Sequence, residues 1–226
     1  DTPEVMAQKA KKIVDAGFKV VKVKLGQAPE YDVQRLQAVR AAVGSAVNLR
    51  IDANQGWTPS TAVHALKSLE QFRVEFCEQP VPYWDWEGLK FVRDHSPIPI
   101  MADESVHSPH DAIEAVRRNA CDMINIKLMK TGGILNAMRV AQIADAAGMN
   151  CMLGCMSEIR IALTAAAHVV AASPNVLYAD LDSFTEYNTD PVIGGMELKD
   201  GALRLPEKPG LGLDVDPLWL KGLHSV

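Results

Sequence analysis

Charged side chains recur about every 26 residues along this chain, each at or near the end of a short apolar segment rich in β-branched residues. Such a period is typical of a repeating strand–helix unit. A closed barrel of these units brings the carboxyl ends of all its strands to one mouth. The sequence therefore predicts a TIM-type (β/α) barrel with a charged mouth. The recurring residues are Lys22, Lys24, Asp52, Glu78, Asp103, Lys127, Asp180 and Asp182.

Seven apolar segments, separated by amphipathic ones, carry this repeat. Their β-branched residues and turn-forming flanks favour strands. Regular alternation of strands and helices with short connections then predicts an α/β fold with parallel strands and right-handed crossovers. The predicted strands cover residues 18–25, 47–53, 74–79, 98–103, 123–128, 150–155 and 176–182, and segments such as 31–43 and 58–71 are predicted helices.

The two ends of the chain depart from this repeat. A predicted helix begins within residues 1–4 and runs to about residue 16, ahead of the first predicted strand. Because a complete barrel has eight strands, we expect its first strand to lie ahead of Asp1. Glycine- and proline-rich breaks near the other end predict short extended pieces. We therefore expect a catalytic barrel at residues 1–185 and a tail at residues 186–226 that packs outside it.

Composition excludes several classes of function. The chain has 226 residues and a net charge of -5, which argues against nucleic acid or an anionic membrane as its main partner. Its longest apolar stretch, residues 161–172, is shorter than the roughly 20 residues that a membrane-spanning helix needs. The four cysteines form no CxxC pair, which favours reduced thiols in a cytoplasmic protein. The sequence leaves a homo-oligomer open.

Three carboxylates from consecutive predicted strands suggest a metal site. Asp52, Glu78 and Asp103 offer oxygen ligands of the kind that a hard cation prefers, and we expect one Mg²⁺ per active site. These ligands would leave a net negative charge, so an anionic substrate needs nearby lysines. Lys22, Lys24 and Lys127 are predicted to supply this positive charge.

Alternation of side chains along a strand groups the remaining candidates. Lys22 shares a face with Lys24, and Asp180 shares a face with Asp182. Asn54 shares a face with Asp52, while Glu104 points away from Asp103. We expect Asn54 and Glu104 to position the residues of the site without binding the metal themselves. The aspartate pair at the last strand end would favour a cationic group on the substrate, although Asp182 could instead cap a helix.

The ordered motifs resemble those of the enolase superfamily, in its muconate-lactonizing subgroup. They are Lys22-Val23-Lys24, Asp52-Ala53-Asn54, Glu78-Gln79-Pro80, Asp103-Glu104-Ser105, and Lys127 followed by Gly132-Gly133. The resemblance implies magnesium on the three carboxylates and two catalytic lysines, Lys24 and Lys127, facing each other across the substrate. It also implies an N-terminal capping domain, which we expect to lie outside this chain and to pack against the tail at residues 186–226. In dipeptide epimerases of the subgroup, a pair like Asp180 and Asp182 binds the free α-ammonium of the substrate.

Two opposed lysines suit a 1,1-proton transfer, in which one removes the proton α to a carboxylate and the other returns a proton to the opposite face. The resemblance thus predicts an isomerase acting on dipeptides through an enediolate. The same scaffold leaves muconate cycloisomerase and o-succinylbenzoate synthase or N-acylamino acid racemase activity open. A Schiff-base aldolase using Lys127 and a non-catalytic barrel are further alternatives. A weaker signal is Lys130–Gly133, which could cradle a phosphate.

Overall fold

A computed structural model of the chain describes residues 1–223, and its framework is one parallel sheet of seven strands. Each strand pairs in parallel with the next along the chain, from first to last. The predicted fold is confirmed as a partial TIM-type barrel. The strands are β1 Val20–Lys24, β2 Asn48–Asp52, β3 Val74–Glu78, β4 Ile100–Ala102, β5 Met123–Ile126, β6 Asn150–Leu153 and β7 Val176–Ala179.

Helices connect these strands, and several begin at the proline and hydroxyl residues that favour a helix start. Thr2, Thr58 and Ser108 each accept a backbone hydrogen bond as N-cap, and a proline follows each of them. The helices are α1 Pro3–Asp15, α2 Pro29–Val43, α3 Pro59–Leu69, α4 Trp86–His95, α5 Pro109–Arg118, α6 Leu128–Thr131, α7 Ile134–Ala146, α8 Arg160–Ala172 and α9 Pro217–Gly222.

Every strand is shorter than predicted, and the missing residues are mainly at the carboxyl end. Asp103, Lys127, Asp180 and Asp182 lie in the connections that follow β4, β5 and β7 rather than in the strands. At β4 the physical reason is visible, because the backbone N–H of Asp103 donates to the Gln79 side chain. Strand alternation therefore does not orient Asp180 and Asp182, contrary to the prediction.

The floor of the barrel mouth is apolar and tightly packed. Phe76, Met101, Met123 and Met152 form a separate buried cluster, with Tyr178 packed against it. Several of these side chains lie two residues before the mouth residues of their strands and so share the same inward face. The apolar cluster therefore lies next to the charged residues of the mouth.

Residues after β7 form a short 3₁₀-helix at Ser183–Glu186 and two antiparallel pairs of strands. The pairs join β8 Val192–Gly194 to β11 Leu213–Val215, and β9 Glu197–Lys199 to β10 Ala202–Arg204. Arg160, at the start of α8, donates hydrogen bonds to backbone oxygens of Val192, Gly194 and Met196. Within residues 1–223, none of the helices is long and apolar enough to cross a membrane.

Candidate active site

Strand β1 presents two lysines to the carboxylates of the neighbouring strands. Lys24 Nζ lies 2.6 Å from Asp52 Oδ2. Lys22 Nζ lies 3.8 Å from Asp52 Oδ2 and 3.3 Å from Glu78 Oε2. It also forms an ion pair with Asp180. Burial disfavours the charged form of Lys22, but Glu78, Asp180 and Asp52 outweigh it and raise its pKa well above the ordinary range. Lys22 therefore stays protonated.

Glu78, at the end of β3, is fully buried and held from two sides. Asn125 Nδ2 donates to its Oε1 at 2.8 Å, and Lys22 contacts its Oε2. Gly154 leaves the room for Asn125, because a Cβ there would lie 2.7 Å from Asn125 Oδ1. Burial raises the pKa of Glu78 to about 8; Lys22 opposes this shift, while the negative charges of Asp52 and Asp103 add to it. Asn125 was not identified from the sequence, where it reads as an interior strand residue.

This raised pKa predicts a pH-dependent stability in the metal-free protein. The native state holds a proton on Glu78 that the unfolded state releases, so the free energy of unfolding falls as the pH rises from 4.5 to about 8. Asp103, with its pKa lowered from 3.8 to about 2, contributes only below this window. Chemical denaturation at several pH values, with EDTA present, measures the slope. Glu78→Gln should make it shallower, with a residual slope from Asp182, whose pKa is also raised, and an equal slope in the variant would contradict this assignment.

Asp103 follows β4 and is fully buried between two lysines. Lys127 Nζ lies 2.6 Å from its Oδ2, and Lys130 Nζ lies 2.5 Å from its Oδ1. Burial alone would raise the pKa of Asp103, but Lys130 and Lys127 outweigh it and lower this pKa to about 2. The pKa of Lys127 is raised, because Asp103 outweighs the opposing effect of burial. In the metal-free arrangement Lys127 thus carries a proton.

Lys130 is part of this site. The prediction that Lys130 could help to bind a phosphate is wrong. Its ammonium is turned inward, where it donates to the backbone oxygens of Val106 at 3.1 Å and Asn125 at 3.0 Å. It also donates to the backbone oxygen of Asp103. Lys130 follows Lys127 by one helical turn, and that spacing was the available sequence signal.

Asn54 and Glu104 extend the site behind Lys24. Asn54 Oδ1 accepts a hydrogen bond from Lys24 Nζ at 3.0 Å, and its Nδ2 donates to Glu104 Oε1 at 3.2 Å. Because the Asn54 amide nitrogen donates to Glu104, the amide oxygen is the atom that faces Lys24. The other carboxylate oxygen of Glu104, Oε2, is buried and has no hydrogen-bond partner among the described residues.

Asp180 and Asp182 lie at the rim of the mouth, after β7. Asp180 is tied to Lys22, whereas Asp182 precedes the 3₁₀-helix and makes no side-chain capping bond. Burial, followed by the negative charge of Asp180, raises the pKa of Asp182. A cationic group placed beside Asp182 would relieve both effects. Both aspartates line a cavity of about 1020 Å³ with Lys22, Lys24 and Lys127.

The carboxylates suit a divalent cation in chemistry and charge. Within residues 1–223, His, Cys, Asp and Glu side chains do not already form a group of three at metal-binding spacing. Lysine ammonium groups lie against Asp52, Glu78 and Asp103 instead, and that of Lys22 lies between two of them as a stand-in cation. Three fully buried carboxylates provide the hard oxygen donors that Mg²⁺ prefers.

Comparison with known proteins gives consistent matches over nearly the whole chain. The family model described as enolase C-terminal domain-like matches residues 5–219. The L-Ala-D/L-Glu epimerase of Clostridium acetobutylicum is 46% identical over 216 residues, which cover 95% of this chain and 60% of that protein. The hydrophobic dipeptide epimerase of Enterococcus faecalis is 48% identical over 215 residues, which cover 94% of this chain and 61% of that protein.

A solved structure agrees with these sequence matches. The dipeptide epimerase of Cytophaga hutchinsonii, complexed with Mg and the dipeptide D-Ala-L-Val, matches with a TM-score of 0.97 at 40% identity. The match covers 99% of this chain and 61% of that one. The chain thus spans about 60% of the length of the relatives that it matches.

Proposed function

The chain belongs to the enolase C-terminal domain-like family, and from this premise we propose that it forms the active site of a magnesium-dependent dipeptide epimerase. The reaction is a 1,1-proton transfer at the α-carbon of the C-terminal residue. The observation that carries the proposal is the pair Lys24 and Lys127, which come from β1 and the end of β5 and line one cavity. Relatives named as dipeptide epimerases, one of them solved with Mg and a dipeptide, support it.

Asp52, Glu78 and Asp103 are the residues that would hold the magnesium ion. When bound, the ion supplies positive charge for the enediolate that forms as the α-proton leaves. In the metal-free arrangement, the ammonium groups of Lys24 and Lys127 neutralise Asp52 and Asp103. With a cation held by these carboxylates, both lysines would be free to act on the substrate.

Lys24 and Lys127 act as the two bases. A lysine must be neutral to accept a proton. Asp103 raises the pKa of Lys127 against the effect of burial, so loss of this carboxylate partner favours the neutral form of Lys127. We assign proton removal from one face of the α-carbon to Lys24 and proton return on the other face to Lys127, with the roles exchanged in the reverse reaction. Lys22 stays charged and binds the substrate carboxylate.

Asp180 and Asp182 bind the free α-ammonium of the N-terminal residue, in our proposal. This role distinguishes a dipeptide from substrates that lack an ammonium group. The four cysteines are all free, which is in line with a cytoplasmic setting. We also propose that residues 1–185 are the catalytic barrel and residues 186–226 a tail outside it; residues 224–226 of this tail lie outside the described part of the chain. The partner in our proposal is a small-molecule dipeptide, and the sequence leaves a homo-oligomer open.

The ammonium assignment predicts a change in substrate preference. Asp182→Asn should lower kcat/KM for a free dipeptide relative to its N-acetyl derivative by at least about tenfold, because a desolvated charge pair is lost. Asp182 is a cleaner target than Asp180, which also holds Lys22. Steady-state kinetics with the two substrates measures the ratio.

Glu186→Gln is the matched control, because Glu186 is another acidic residue that lines the same cavity. We expect its ratio to stay within about twofold of the wild-type value. An unchanged ratio in Asp182→Asn would remove the case for ammonium recognition, and with it the preference for dipeptides over the other substrates of this scaffold.

A further inference from the structure

Gln79 follows the metal-ligand candidate Glu78 directly in the chain and is fully buried. We propose that Gln79 is a positioning residue, which holds Glu78 and Asp103 in a fixed relation so that both can bind the same cation. This inference rests on the proposed function, since it concerns the same metal site. It assigns a role to a neutral side chain that touches neither the substrate-binding lysines nor the aspartate pair.

The side chain of Gln79 uses all of its hydrogen-bonding capacity. Its Oε1 accepts from the backbone N–H groups of Asp103 at 2.8 Å and Ser105 at 3.2 Å. Its Nε2 donates to the backbone oxygen of Val81 at 2.9 Å and to Ser105 Oγ at 2.9 Å. One amide thus joins the connection after β3 to the connection after β4. A fully bonded buried amide has one preferred orientation.

The backbone of Gln79 adds a third connection. Its N–H donates to the oxygen of Met101 at 2.8 Å, and its own oxygen accepts from the N–H of Gln55 at 2.8 Å. Its φ of 33° lies in the left-handed region, which costs free energy for a residue with a side chain and persists only where the surroundings enforce it. Gln79 is therefore fixed relative to the ends of β2, β3 and β4.

These bonds bear directly on two metal ligands. Asp103 lies just beyond the last residue of β4, and its N–H is held by Gln79 rather than by the sheet. Without Gln79, the buried N–H groups of Asp103 and Ser105 would lack this acceptor, so the connection would shift to find another. Asp103 would then move relative to Glu78, which is covalently attached to Gln79. A cation bound by both carboxylates would be bound less tightly.

The test is metal affinity in the full-length protein, measured by isothermal titration with Mn²⁺ as the probe. Gln79→Met keeps the size of the side chain, adds no charge and removes all four bonds. We expect its dissociation constant for Mn²⁺ to rise at least about tenfold. At saturating Mn²⁺, the kcat of Gln79→Met should be closer to the wild-type value than its dissociation constant for Mn²⁺ is. Titrations are run well below the thermal midpoint of each variant.

Gln55→Met is the matched control. Gln55 also has a positive φ, of 67°, and its Oε1 accepts from the backbone N–H of Tyr83, but it makes no bond to Asp103. Its metal affinity should stay within about twofold of the wild-type value. Ser105→Ala, which removes one of the four bonds, serves if Gln79→Met does not fold; we expect a rise of about threefold.

The outcomes separate this inference from the proposed function. If the wild-type protein binds Mn²⁺ and Gln79→Met, or Ser105→Ala in its place, binds it equally well, the positioning role is refuted and the proposed function stands. If the wild-type protein binds no Mn²⁺, both are refuted. A loss of thermal stability with unchanged metal affinity would identify a purely structural role and also refute the inference.

Discussion

Replacing Lys24 or Lys127 with alanine is expected to lower kcat for dipeptide epimerisation by about a thousandfold or more. Each lysine serves one face of the α-carbon, so the loss of either interrupts the transfer in both directions. The two side chains come from well-separated strands of the barrel and line one cavity, and within it each is paired with a different carboxylate. Chiral chromatography of the product mixture measures kcat.

The single variants should also differ from each other. Lys127→Ala should still exchange the α-proton of the epimer that faces Lys24 with solvent, and Lys24→Ala that of the opposite epimer. Lys19→Ala is the control, because Lys19 lines the same cavity at its edge and forms no ion pair among the described residues. We expect Lys19→Ala to retain wild-type kcat within about twofold. Wild-type epimerisation by Lys24→Ala would rule out the two-base assignment.

Asp103→Asn is expected to abolish activity and to destabilise the metal-free protein by about 3–5 kcal/mol. The variant loses a metal ligand and also removes the counter-charge of Lys127 and Lys130, whose side chains are only 9% and 7% exposed. Two buried ammonium groups would then lack their closest carboxylate. Urea denaturation in the presence of EDTA measures the free energy of unfolding.

Glu78→Gln is the contrasting variant. It should abolish activity as well, but at pH 8 it should not lower the free energy of unfolding of the metal-free protein. Burial already disfavours the charged form of Glu78 and raises its pKa to about 8, so a neutral amide removes a cost. If Asp103→Asn and Glu78→Gln destabilise the metal-free protein equally, the opposite pKa shifts of the two carboxylates are contradicted.

The fold and the charged residues of the mouth were predictable because both depend on a regular pattern. Strands that alternate with amphipathic helices give a period that the sequence displays directly, and the carboxyl ends of parallel strands meet at one mouth. Lys22, Lys24 and Asp52 are within strands, and their side-chain alternation follows from strand geometry. The magnesium site was predicted in the same way, from carboxylates near the ends of three consecutive strands.

Contacts made by the connections were not predictable in this way. Gln79 and Lys130 bond to backbone groups that are distant in sequence, and no period in the sequence marks such bonds. Asn125 reads as a polar residue inside a strand, and only the structure shows that it donates to Glu78. Asp180 and Asp182 lie beyond the end of β7, so strand alternation does not apply to them.

The central claim is that this site removes and returns a proton at the α-carbon of a dipeptide's C-terminal residue. The most direct test incubates the full-length protein with Mg²⁺ and a panel of dipeptides in heavy water, followed by NMR. We predict deuterium at the α-carbon of the C-terminal residue, at that position alone, together with both epimers of the product and loss of exchange on adding EDTA. Retention of the α-proton in every dipeptide, with Mg²⁺ bound, would contradict the account.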